Sequence, residues 1–77
     1  HALVLPRVHV ADFTVDPAIT ALTMAAAAEY AAETGGDTNA VTSKGASATQ
    51  TQYHLHVHVL PRREGDGLAL PWTPANR

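Results

Sequence analysis

At 77 residues, with no cysteine, the chain has room for one small domain and excludes a disulfide framework, a thiolate metal site and a thiol nucleophile. A formal net charge of -2 excludes a basic nucleic-acid surface, and no apolar run approaches the ~20 residues of a membrane-spanning helix. The start lacks the basic and apolar regions of a signal peptide, which makes the cytoplasm the default compartment.

The chain opens on His1 and not on Met, so an upstream segment is expected. So short a chain buries a smaller share of its surface than a typical domain, and a shared core in an oligomer would relieve that.

Ala2-Leu3-Val4-Leu5 is an apolar run closed by Pro6, which has no N–H for a ladder. It reads as a buried strand, with Arg7 to Val10 leading out of it. Asp16-Pro17 is a helix start: the carboxylate can accept from first-turn N–H groups, and proline fits the first helical position. Ile19, Leu22, Ala26 and Tyr30 recur at helical spacing, with Thr23 and Ala27 beside them. The alanine runs favour helix, and Gly35-Gly36 supplies the left-handed stop. The helix is expected over residues 17–34, its small face close against a sheet and Tyr30 in the core.

Residues 37–44, with Thr38, Val41 and Thr42, form a second strand candidate, and residues 45–48 a small-residue loop. Residues 50–61 carry the strongest pattern and read as a third strand. Residues 63–67 read as a charged turn, with Glu64 and Asp66 as turn residues and Arg62 and Arg63 at a solvated strand end. Residues 68–77, with Pro71, Trp72 and Pro74, read as an irregular tail. Trp72 reads as packing onto the domain. The order strand, helix, strand, strand indicates a single α+β domain with an antiparallel sheet and one long helix.

Side chains alternate faces along a strand. His54, His56 and His58 therefore share one face, and Tyr53, Leu55, Val57 and Val59 share the core-facing other. Three of the five histidines fall in this stretch. One reading is a solvated edge-strand face, which Thr, Lys or Glu would serve equally well. A second is a metal site, since neutral imidazoles bind zinc, copper, nickel and iron. Three histidines on a straight strand span ~13 Å at ~3.3 Å per residue, so an outside carboxylate or His9 would be needed as well. A third is catalysis, with one imidazole as nucleophile or base and its neighbours orienting it. Just upstream, residues 45–51 offer small residues, hydroxyls and an amide, a loop suited to phosphate oxygens.

The run His54-Leu55-His56-Val57-His58-Val59-Leu60 resembles the signature of the histidine triad (HIT) superfamily. Pro61-Arg62 after it is similar to the Fhit-like branch. Gln50-Thr51 resembles the family's phosphate-contacting pair, residues 2–10 resemble its upstream strand and following histidine, and residues 65–68 resemble a common downstream turn.

The resemblance implies attack by His56 on the α-phosphate of a nucleotide, a nucleotidyl-histidine intermediate, and release of the nucleoside monophosphate by water. It implies that His54 fixes the tautomer, His58 contacts phosphate or leaving group, His9 supports the row, and Gln50 and Thr51 hold the phosphate. Ser43 stands where the family often has Asn or Gln, with Asn39 as a possible substitute nucleotide contact. The resemblance further implies a homodimer, no required metal or other cofactor, and a usual domain whose N-terminal part precedes His1. Dinucleoside polyphosphates, nucleoside phosphoramidates or other nucleotidyl conjugates are the implied substrates. Two other classes stay open: a metal-dependent hydrolase using the histidine strand, and a nucleotide-binding module without turnover.

Overall fold

The computed structural model describes residues 1–70; Pro71, Trp72 and Pro74 lie outside the described residues. Its elements are β1 (Ala2–Val4), α1 (Pro17–Thr34), β2 (Thr38–Val41), a 3-10 turn (Ala46–Ala48) and β3 (Val57–Pro61). The strands form one antiparallel sheet in the order β1-β3-β2, so the histidine-bearing strand is central. Leu3 and Val41 both stand opposite His58, on its two sides. This is the expected α+β architecture.

Helix α1 begins and ends where its local code places it. Asp16 accepts from the N–H groups of Ala18 and Ile19 at 3.0 and 3.3 Å, and Pro17 follows it as the first helical residue. Gly35 closes the helix at φ 68, a conformation open to glycine, and its N–H bonds the Ala31 carbonyl.

The helix packs on one sheet face through Ala27, against Val57 and Val59, with Ala2, Val4 and Ala31 around them. The buried helical row is Thr23 and Ala27, not the expected stripe. Leu22 is 73% exposed and Tyr30 42% exposed. Small side chains on that row let the helix approach valines already filling the layer, and larger ones are turned outward.

The third strand is shorter than expected. Its ladder begins at Val57, so residues 50–56 lie outside it. Pro6 offers no ladder donor after β1, and β2 ends at Val41, so neither neighbour continues alongside. The alternation of burial nevertheless reaches back to Leu55, which is fully buried. It stops before Tyr53, which is 55% exposed and not in the core. Among the described residues, the opposite face of the sheet, with Leu3, Val41, His58 and Leu60, carries no helix, and it borders a cleft.

Candidate active site

Residues 54–56 are held by bonds from other segments in place of a ladder. The Leu55 N–H donates to the Val10 carbonyl at 2.8 Å. The Thr42 hydroxyl donates to the His56 carbonyl at 2.8 Å. His56 Nδ1 lies 2.7 Å from the His54 carbonyl oxygen. A carbonyl only accepts, so Nδ1 carries the proton, and Nε2 of the neutral ring keeps its lone pair.

His54 has the opposite tautomer. Its Nε2 lies 2.9 Å from the Pro6 carbonyl oxygen and must donate to it. Its Nδ1 is then an acceptor, 3.0 Å from His9 Nδ1, which therefore donates. His9, His54 and Pro6 form one directional chain. On the other side, His58 Nδ1 lies 2.8 Å from His1 Nε2. The His56 and His58 rings meet edge-on, with centroids 5.0 Å apart. Burial, and secondarily the neighbouring His56, push His58 below the ordinary histidine value. His58 thus favours the neutral form.

An open cleft of about 480 Å³ borders this row, and His1, Ser43, Thr49, Thr51, His56 and His58 are among the residues lining it. Thr51 is exposed there, where a phosphate could reach its hydroxyl. Thr49 caps the 3-10 turn at φ 68, ψ 21, a left-handed conformation unfavourable for a β-branched residue.

Gln50 also borders the cleft, but its amide is engaged elsewhere. It is only 6% exposed. Its Oε1 accepts from the Gly45 N–H at 2.8 Å. Its Nε2 donates to the carbonyls of Ala11 and Gln52 at 2.8 and 3.1 Å. Both amide protons are used, and these bonds shape the loop that carries Thr51. Asp12, next to Ala11, holds its own turn in place. It accepts from the Thr14 N–H and hydroxyl at 2.8 and 2.6 Å, bonds that hold its carboxyl below the usual aspartate range.

Asn39 falls outside the cleft. Its Oδ1 accepts from Arg62 Nη1 at 2.6 Å. Arg62 also grips Asp66 through Nε at 2.8 Å and Nη2 at 3.1 Å. The guanidinium holds the Asp66 carboxyl far below its usual range, helped by the N–H groups of Leu68 and Arg63. Arg62 therefore buttresses the turn after β3, and its donors face protein.

Sequence reasoning missed His1, Thr42 and Gln52 as site residues. For His1, the antiparallel pairing of Ala2 with Val59 is the signal that brings position 1 beside the histidine row.

The profile described as "HIT domain" matches residues 1–65. An uncharacterized HIT-like protein of Mycobacterium tuberculosis is 37% identical over 76 residues, covering 91% of this chain and 53% of its own length. Adenylylsulfatase HINT3 of Arabidopsis thaliana is 30% identical over 74 residues, covering 88% of this chain and 38% of its own. A HIT family hydrolase from Clostridium thermocellum superposes with a TM-score of 0.71 at 27% identity, over 88% of this chain and 65% of that one. The chain spans about half the length, or less, of these curated relatives.

Proposed function

Because the chain belongs to the HIT domain family, we propose that it cleaves nucleotides at an α-phosphate through a nucleotidyl-histidine intermediate on His56. The observation that carries this reading is the 2.7 Å bond from His56 Nδ1–H to the His54 carbonyl, which leaves Nε2 as the nucleophilic nitrogen.

In this scheme the Nε2 lone pair forms a bond to phosphorus. The bond from phosphorus to the leaving group breaks, and the leaving group departs with its electron pair. Attack puts positive charge on the ring. The Nδ1–H bond to the His54 carbonyl then becomes charge-assisted and stronger, so it stabilises the transition state more than the ground state. Water next attacks phosphorus and loses a proton to solvent, the N–P bond breaks with its electron pair returning to Nε2, and nucleoside monophosphate leaves with His56 neutral again. Dividing one displacement into two lowers each barrier.

His54 and His9 act as positioning residues through their tautomer chain. His58 meets the phosphate or leaving group, and Thr51 meets the phosphate oxygens. Gln50 holds the loop from behind. The scheme uses no metal. The family relatives include a hydrolase and an adenylylsulfatase, so adenylyl conjugates join dinucleoside polyphosphates and phosphoramidates as the substrate class.

The test is release of AMP from diadenosine polyphosphate, adenosine phosphoramidate and adenylyl sulfate, with and without EDTA. The intact protein is compared with His56→Asn. Chelator-resistant release, lowered on the order of 10³-fold or more in the variant, is expected. Loss in EDTA with recovery on zinc would move the histidines into a metal site. Binding without release would leave a binding module.

A further inference from the structure

We propose that Thr42 is a positioning residue for His56, acting through the backbone of the nucleophile. This rests on the reading of His56 given above. The β2–β3 ladder ends at Val41 opposite His58, and the next pair in that register would be Thr42 with Val57. The β2 strand ends at Val41 and β3 begins at Val57, so the ladder supplies no pairing at His56. The Thr42 side chain takes over that task, its hydroxyl donating to the His56 carbonyl at 2.8 Å across 14 residues.

This fixes the peptide plane that follows His56. The plane linking His54 and Leu55 is fixed from the opposite side, because the Leu55 N–H bonds the Val10 carbonyl. That same plane carries the His54 carbonyl that receives His56 Nδ1–H. The imidazole is thus anchored between two clamped planes, one held from the segment after β1 and one from the end of β2. Thr42 holds the second. Because in-line attack is sensitive to errors of about 1 Å, loosening that plane lowers the rate of the chemical step and leaves nucleotide binding intact.

Thr42→Val keeps the shape and removes the donor, and Thr42→Ser restores it. In the intact protein, Thr42→Val is expected to lower kcat about 5- to 10-fold with KM changed less than about 2-fold, as befits one lost hydrogen bond. Thr42→Ser is expected to recover most of kcat. Should Thr42→Val melt below the assay temperature, Thr42→Ala carries the same expectation. Unchanged kcat without the hydroxyl, or an equal loss in Thr42→Ser, would overturn the proposal.

A second readout needs no substrate. The ring 15N resonances of His56 are expected to show the Nδ1–H tautomer in the wild type and in Thr42→Ser, and a mixture in Thr42→Val. Identical spectra in all three would overturn the proposal. The mixed spectrum in a protein that turns over no nucleotide would uphold the positioning and sink the nucleotidyl-transfer reading alone.

Discussion

His56 Nδ1 sits 2.7 Å from the carbonyl oxygen of His54, while the His54 ring turns its own Nε2 to the Pro6 carbonyl at 2.9 Å. Two histidines two residues apart are thereby held in opposite tautomers by backbone acceptors. The expected outcome by two-bond 1H–15N correlation at neutral pH is Nδ1–H for His56 and Nε2–H for His54. His9→Phe should leave the His56 tautomer intact and disturb only His54, since the His9 bond reaches His54 Nδ1. Nε2–H at His56 would remove the lone pair that the proposed chemistry needs.

Gln50 offers a separate prediction, on stability. Its three hydrogen bonds tie Gly45, Ala11 and Gln52 together behind the cleft. Gln50→Ala leaves one N–H and two carbonyls unsatisfied, at a cost of about 2 kcal/mol. For a domain of this size that is a Tm lower by about 10 °C. Gln50→Glu keeps the acceptor but turns a carboxylate oxygen toward two carbonyls, and is expected to be worse. A side chain whose role was to grip phosphate would behave differently, raising KM with Tm unchanged.

Gln50 also marks where the sequence could be read and where it could not. The helix limits were legible because Asp16, Pro17 and Gly35 act on their own neighbours. The shared face of the histidines was legible because alternation is a property of extended backbone, and it holds from Leu55 to Val59. The Gln50 side chain bonds a carbonyl 39 residues away, and nothing near Gln50 encodes that. Tyr53 and Tyr30 were misplaced for a related reason. Local period groups residues on a face but does not say which face is covered: the helix buries the row of Thr23 and Ala27, and its cluster takes in Val57 and Val59 and not Tyr53. The Asn39 side-chain oxygen bonds Arg62, a partner 23 residues on.

His58 gives a pH dependence with a definite sign. Burial and then His56 lower its folded-state pKa below the ordinary 6.5. In the interval between the two values the unfolded chain binds more protons than the folded one, so stability rises with pH. The contribution is fully present above about 6.5 and is lost as pH falls from there toward the folded value. Among the described residues, the titratable groups in contact with this ring are His56 and His1, whose Nε2 is 2.8 Å away. Urea melts of the wild type and His58→Asn between pH 7.5 and 5 test this. Going down in pH, the wild type is expected to lose stability faster than the variant. A gap that stays constant, or that shifts in the wild type's favour as pH falls, contradicts the assignment.

Thr49 sets local strain against function. At φ 68, ψ 21 a β-branched residue lies in a region that costs on the order of 1–3 kcal/mol. Thr49→Gly removes that cost but gives the unfolded chain more freedom, worth about 0.5–1 kcal/mol in the other direction. Strain wins by about 1 kcal/mol, so the variant is expected to melt about 4–8 °C higher. Thr49 also lines the cleft, and its removal there is a separate experiment in the same protein. If the stabilised variant keeps its KM for nucleotide, the strained threonine is only a structural burden. If KM rises while Tm rises, the left-handed turn exists to present that side chain to substrate. A fall in Tm would mean that the Thr49 side chain contributes more to folding than its backbone conformation costs.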